Sequence, residues 1–255
     1  MESFMVKWGL LLKSLGITAI LLMIRLVFDF FQFDILALST LVTAFIGGAI
    51  FTVAIIYTGT LSDYKESERI PGDLAASVRA LYTECNFCRT DAGLVASTRK
   101  HILVMLSVIN SNFRNNRWNT HEIHAAMEIV NNDLWIMTDK NVAPPMIVKL
   151  RVEMTNIDRI SNRIRQIAET SFIPAAYSIA ELATASTIIL LIFVKMEVFE
   201  GILLFTVLST LMIALILLIK DMDDPFEVGA KSYADVDLFI LWELEESLKK
   251  DLEIK

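Results

Sequence analysis

The longest uncharged stretch of the chain constrains its fold more than any other feature. Between Asp34 and Asp63 run about 28 residues without a charge, ILALSTLVTAFIGGAIFTVAIIYTGTLS. About 20 predominantly apolar residues are enough for a helix to cross the hydrocarbon core of a bilayer. The stretch therefore predicts a transmembrane helix over about residues 35–58, and with it an integral membrane protein.

Three further apolar segments predict three more transmembrane helices. The first covers about residues 8–31, and its charges Lys13, Arg25 and Asp29 are placed so that they can reach the membrane interfaces. The other two cover about residues 172–194 and 200–219. Because the connection within each pair is short, we expect an all-α integral membrane protein with four transmembrane helices in two hairpins.

The remaining residues predict helices outside the membrane. Residues 62–171 carry frequent charges and apolar residues at three- and four-residue steps, as amphipathic helices do, although the polar residues 110–119 predict a loop. The tail, residues 221–255, contains an amphipathic helix over about residues 233–252. We therefore expect a hairpin (1–61), a helical domain (62–171), a second hairpin (172–220) and the tail. The positive-inside rule predicts that the helical domain and both termini are cytoplasmic, because basic residues cluster there.

Composition excludes several classes of function. The formal net charge of −7 gives a nucleic-acid partner no electrostatic support. Two cysteines are too few for a disulfide framework. The sequence contains no phosphate-binding glycine loop, no H-E-x-x-H and no G-x-S-x-G motif, so we expect neither an enzyme nor a cofactor.

Two groups of residues are weak candidates for metal binding. Cys85, Cys88, His121 and His124 have the spacing of a zinc site, since two ligands three residues apart share one helix face. The separation of the two pairs is longer than in a compact zinc finger, and we favour the simpler explanation of small buried cysteines and surface histidines. A calcium site could use the carboxylates after the fourth helix, which otherwise form a solvated cluster: Asp221, Asp223 and Asp224.

Four short motifs follow one another along the chain. They are Ile70-Pro71-Gly72-Asp73-Leu74 after the second helix, Ile173-Pro174-Ala175-Ala176-Tyr177 at the third, Asp224-Pro225-Phe226 after the fourth, and Asp235-Val236-Asp237 before the last. In this order they resemble the motifs of the bestrophin family of pentameric ion channels. The resemblance covers about residues 35–252. Asp224 and Glu227 depart from the family's Asn-Pro-Phe-Gly pattern, and the following acidic run of calcium-gated members is absent, so calcium control is not expected.

The resemblance implies a homopentamer that passes small inorganic ions through a central pore. The family's three-residue hydrophobic neck would fall on Ile46, Ile50 and Ala54, and the adjacent stripe is Gly47, Phe51 and Ile55. Met146 would match the family's cytosolic aperture residue. The alternative is that the stripe packs against lipid or other helices and that Met146 fills a gap in the core.

Acidic residues favour monovalent cations over chloride in this interpretation. Asp29 and Asp34 would lie at the outer mouth of the pore. Glu181 is a carboxylate well inside a spanning segment, so its side chain is expected either to face a water-filled cavity or to reach the cytoplasmic interface. The short tail looks like that of bacterial members, which implies a prokaryotic plasma membrane. Two other functions stay open, a membrane transporter and a non-conducting scaffold or sensor.

Overall fold

The computed structural model describes residues 2–33, 35–169, 174–228 and 232–253, with side chains from residue 8 onward. Within these ranges the fold is all-α. Its nine α-helices are α1 (Glu2–Phe30), α2 (Thr40–Ser67), α3 (Ile70–Glu84), α4 (Ala92–Arg114), α5 (Thr120–Asp139), α6 (Pro144–Glu169), α7 (Pro174–Phe193), α8 (Val198–Met222) and α9 (Phe239–Glu253). A 3₁₀ turn at Cys85–Phe87 links α3 to α4.

The helices divide between two compact units. The apolar unit comprises Met1–Tyr64, Ser171–Asp224 and Lys231–Ala234, and it holds α1, most of α2, α7 and α8. The amphipathic unit comprises Lys65–Thr170, Pro225–Ala230 and Asp235–Lys255, and it holds α3–α6 and α9. Among the described residues, five helical runs are long and apolar enough to cross a membrane. Four of them overlap the predicted spans, and the fifth is α4, the least apolar of the five.

Small and hydroxylated residues line the contact between α1 and α8, the main helix pair of the apolar unit. Ser14 and Thr18 of α1 and Ser209 of α8 are fully buried. The hydroxyl of Thr210 donates to that of Thr18 at 3.1 Å, and the Ser14 hydroxyl donates to the carbonyl of Leu10 at 2.7 Å. In a bilayer the hydrophobic effect does not drive helices together, because lipid tails are as apolar as the helices. Small side chains instead let the two helices approach closely enough to gain van der Waals contact.

The second helix begins later than the uncharged stretch does. Leu36–Ala37 forms a short strand, β1, that pairs in parallel with Val194–Lys195, β2. Helix α2 then begins at Thr40, with the Ser39 hydroxyl accepting from the N–H of Val42 at 3.4 Å, and it continues to Ser67. Helix α2 begins later than predicted because residues before it form this strand pair. The two strands are far apart in the sequence, so the local pattern gives no sign of the pairing.

The polar residues 110–114 belong to α4, so the predicted loop is shorter than expected. Asn110 is fully buried, and its amide donates to the carbonyl of Leu241 at 3.2 Å and to the carboxylate of Glu245 at 2.7 Å. The turn follows α4, with Asn116 in the left-handed region at φ 48°. Asn119 caps α5 by accepting from the N–H groups of His121 and Glu122.

Helix α9 packs against α3 and α4 through an apolar face and two charged groups. Leu241, Leu244 and Leu248 are buried. Asp251 accepts from the Tyr82 hydroxyl at 3.0 Å and forms an ion pair with Arg99. The tail helix therefore completes the core of the amphipathic unit of its own chain.

Glu245 is the second of these charged groups, with a side chain only 3% exposed. Burial alone would raise the pKa of this carboxyl, yet hydrogen bonds from nearby donors lower its pKa to about 2. The donors are Lys249 at 2.5 Å, Asn110 at 2.7 Å, Ser107 at 3.0 Å and Arg114 at 3.1 Å. The carboxylate is thus a fully charged part of the α4–α9 contact at neutral pH.

Candidate ion pathway

Helix α2 buries one face and leaves an apolar face uncovered. Ala49, Val53 and Thr60 are buried within the unit. On the opposite side Phe51 is 66% exposed, and Ile55, about one turn further along, is also exposed. With 3.6 residues per turn, Phe51 lies almost directly opposite Val53 and Thr60. This face is available to line a pore, to contact lipid or to contact another copy of the chain.

The predicted neck residues lie at the edge of the buried face. Ile46 is half-buried against a cluster that includes Leu191 and Phe205, and Ile50 is half-buried against one that includes Val53 and Met212. Ala54 is exposed. Ile46 and Ile50 therefore each bury part of their surface in the core of their own chain.

The adjacent stripe, Gly47, Phe51 and Ile55, lies wholly on the uncovered face. A Cβ built at Gly47 or Gly48 meets no described atom within 4 Å, so this part of α2 faces open space. The hydroxyls of Thr52 and Thr58 donate to carbonyls one turn earlier in the helix, at 2.9 and 2.8 Å. The uncovered face consequently presents hydrocarbon rather than free hydrogen-bonding groups.

Arg25 lies inside the apolar unit and not at its surface. Its side chain is 2% exposed, and its two terminal nitrogens donate to the carbonyls of Leu191 at 2.8 Å and Val194 at 3.5 Å. It also lies 5.4 Å from the ring centroid of Phe205. The last carbonyl groups of a helix have no hydrogen-bond donor within the helix. Arg25 supplies donors to carbonyls at the end of α7, where a positive charge is also favoured by the helix dipole.

Of the two acidic residues predicted at the outer mouth, the structure describes Asp29, and Asp34 lies outside the described residues. The carboxylate of Asp29 is partly exposed and lies 3.5 Å from Nε of Arg25. Its charge is therefore partly balanced by a buried cation.

Glu181 of α7 forms an ion pair with Lys220 of α8, and both side chains are about half exposed. The sequence by itself indicates no partner for Glu181. The short connection between α7 and α8 is the signal that could have indicated one, because it places the start of α7 beside the end of α8. Met146, in the first turn of α6, is half-buried.

The structure does not bring the zinc candidates together. Cys85 and Cys88 are buried free thiols, and burial, reinforced by the neighbouring Cys88, raises the pKa of Cys85 to about 12. His121 is exposed, and Nε2 of His124 lies 3.3 Å from a carboxylate oxygen of Asp158. Among the residues that the structure describes, no three His, Cys, Asp or Glu side chains form a metal-binding group.

The calcium candidates make contacts within the chain. Asp221 accepts from the N–H of Tyr233 at 2.6 Å, and Asp223 has an interaction partner within the chain. Asp224 is exposed and also has an interaction partner. Asp221 therefore serves to hold the segment that follows α8 against the end of that helix.

Comparison with known proteins identifies the fold. No family model and no curated protein sequence matches the chain. A bacterial bestrophin homologue from Klebsiella pneumoniae superposes with a TM-score of 0.76, at 11% identity, over 96% of this chain and 98% of that one. A single-residue variant of that homologue gives 0.79 at 11% identity, over 95% and 97% of the two chains. A membrane protein variant gives 0.79 at 10% identity, over 95% and 98%.

Identities this low show the fold alone. The chain therefore has the bestrophin fold, which confirms at the level of the fold the resemblance carried by its four motifs. The apolar helices and this fold together make it an integral membrane protein.

Proposed function

We propose that this chain forms a homopentameric channel that passes small monovalent ions through a central pore. The observation that carries the proposal is the agreement with bacterial bestrophin homologues over nearly the whole chain. The bestrophins that the motifs resemble are ion channels and not enzymes. Helices α1, α2, α7 and α8 would be the four spans, in two hairpins, with both termini and the amphipathic unit in the cytoplasm.

Five copies of the uncovered face of α2 would form the apolar neck of this pore. A narrow ring of hydrocarbon holds no stable column of water, and it conducts when it widens. The exposure of Phe51, and the absence of free hydroxyls beside it, supports the stripe Gly47, Phe51 and Ile55 over the stripe Ile46, Ile50 and Ala54. Met146 is proposed as the aperture residue of each subunit.

We propose that the pore favours monovalent cations over chloride. The turns that would form the outer mouth carry Asp29, Asp34, Glu197 and Glu200 against Lys195. Arg25 and Asp29 form an ion pair whose charges largely cancel, so the acidic excess comes from Asp34, Glu197 and Glu200 against Lys195. A fivefold ring with an acidic excess attracts cations, and salt screens it with a Debye length of about 8 Å at physiological ionic strength.

The experiment is a planar-bilayer recording of purified protein under a potassium chloride gradient. We expect single-channel steps with a reversal potential that is shifted from zero towards the potassium equilibrium potential. Phe51→Ala should raise conductance or open probability more than Ile50→Ala does. The matched control is Leu182→Ala, an equally exposed apolar residue on α7, which should leave the current unchanged.

Each part of the proposal has its own contradicting result. Equal effects of Phe51→Ala and Leu182→Ala would remove Phe51 from the pore, and a larger effect of Ile50→Ala would restore the first stripe. A reversal near the chloride equilibrium potential would refute the cation preference. Saturable uptake without single-channel steps would instead indicate a transporter, and no flux from an intact oligomer would indicate a scaffold or sensor.

A further inference from the structure

A groove runs along α5 and α6 within the amphipathic unit and is separate from the residues proposed for the ion pathway. It consists of two adjoining cavities of about 390 and 420 Å³, which share Asn131 of α5 and Arg151 of α6. Small-molecule sites are commonly clefts of about 300–1,000 Å³. We refer to the two cavities together as the α5–α6 groove.

One end of the groove is apolar and contains an exposed indole. Trp135 is 64% exposed and Val148 is 61% exposed, and both line the larger cavity. Leu134 and Ile147 are buried and also line it. A large aromatic side chain left in a concave apolar surface is typical of binding sites, where it supplies rigid contact area.

The charge of this apolar cavity comes from Arg151. No carboxylate is among the described residues that line it, and the other polar groups are neutral, such as the amides of Asn131 and Asn141. Arg151 makes no ion pair with any side chain that the structure describes. A guanidinium without an acidic partner, beside an apolar wall, is complementary to a ligand that carries one negative charge next to a hydrocarbon group.

The other cavity fixes the direction in which such a ligand could lie. Its lining includes Glu128 and Asp158, the latter paired with His124. These carboxylates repel an anion that moves past Arg151. The hydrocarbon part of the ligand is therefore directed towards Trp135, and the negative charge stays at Arg151.

We propose that the α5–α6 groove binds a small carboxylate that carries an apolar or aromatic group. Arg151 donates two hydrogen bonds to the carboxylate, and the hydrocarbon group packs against Trp135 and Val148. The groove is thus a ligand site on the amphipathic unit, and binding to it does not depend on whether the protein conducts ions.

The test is a titration of the purified full-length protein in detergent with 3-phenylpropionate. Binding is followed by tryptophan fluorescence excited at a wavelength that phenylpropionate does not absorb, and by calorimetry. We expect saturation with a dissociation constant on the order of 1 mM, appropriate to a ligand of this size. The neutral analogue 3-phenylpropanamide and the cation 3-phenylpropylamine should each bind at least about tenfold more weakly.

Three variants separate the proposed site from other binding. Arg151→Gln should weaken phenylpropionate binding about tenfold. Arg159→Gln, on the same helix but lining neither cavity, should leave it unchanged. Trp135→Phe should abolish the fluorescence change while the calorimetric signal persists, because phenylalanine keeps an aromatic wall.

Partitioning into detergent gives a different pattern from specific binding, since the uncharged amide partitions more strongly than the carboxylate. No saturable signal, equal affinity for the carboxylate and the amide, or an unchanged affinity in Arg151→Gln would each overturn the proposal. Because the readout needs no current, a negative result here leaves the channel proposal standing, and a silent channel does not affect this test.

Discussion

The contact between Arg25 and Gly201 gives a sharp test of how the apolar unit is held together. A Cβ at position 201 would lie 2.6 Å from the terminal nitrogen Nη2 of Arg25, well inside van der Waals contact. In Gly201→Ala the guanidinium must therefore move away from α8. The same nitrogen holds the carbonyl of Val194 at 3.5 Å, and its neighbour Nη1 holds that of Leu191 at 2.8 Å.

The expected free energies follow from these contacts. Arg25→Met removes charged hydrogen bonds worth about 1.5–3 kcal/mol each, leaves buried carbonyls without a donor and removes the partner of Asp29. We expect a total loss of about 3–5 kcal/mol. Gly201→Ala in the wild-type chain should cost about 1–3 kcal/mol, as overpacking of a tight site does.

The two changes should not be additive. Without the guanidinium, the alanine has room, and the higher helix propensity of alanine over glycine favours it by up to about 1 kcal/mol. Gly201→Ala should therefore destabilise the wild type and be neutral or stabilising in Arg25→Met. The free energy of unfolding is measured by titrating mixed micelles with dodecyl sulfate, in a double-mutant cycle. An equal cost of Gly201→Ala in both backgrounds would refute the close contact.

Two further predictions concern the amphipathic unit. The pKa of Glu245 is near 2 in the folded chain against an ordinary value of 4.5, so its contribution is complete above pH 4.5 and is lost as the pH falls towards 2. It amounts to at most about 3 kcal/mol. The melting temperature of Glu245→Gln in detergent should therefore fall less between pH 5 and pH 3 than that of the wild type, and parallel curves would contradict this. Truncation after Gly229 removes Leu241, Leu244 and Leu248 from the core, and the burial of each side chain contributes about 1.5–3 kcal/mol to stability. The truncated protein should have a lower melting temperature and should assemble more weakly, as measured by size-exclusion chromatography. A truncated protein as stable and as oligomeric as the full chain would contradict this prediction.

The sequence predicts those features that depend on composition along a continuous segment. The uncharged run of residues 35–62, which covers most of α2, predicts a spanning helix without reference to any partner. The apolar spacing of α6 likewise predicts a long amphipathic helix, which runs over 26 residues in the structure. Both depend on local periodicity and length, which a single sequence contains in full.

Features that depend on a distant partner could not be predicted. Asn110 looks like a loop residue until Glu245 of the tail is placed beside it. Arg25 looks like a residue reaching for the membrane surface until the end of α7 is placed around it. The candidate neck shows the same limit, because periodicity gives two adjacent stripes on α2, and only packing within the subunit distinguishes covered Ile50 from uncovered Phe51.

The discontinuous amphipathic unit has a consequence for how the protein is made on the ribosome. Asn110 and Glu245 are 135 residues apart, and the helices α7 and α8 are synthesised between them. At about 5–20 residues per second, translation takes roughly 7–27 s to cover that distance. Throughout this interval the surface of α3 and α4 that α9 later covers is exposed, with apolar residues and the donors around Glu245 unsatisfied. We therefore expect the nascent chain to need shielding by a chaperone or by the membrane insertion machinery until α9 has been made.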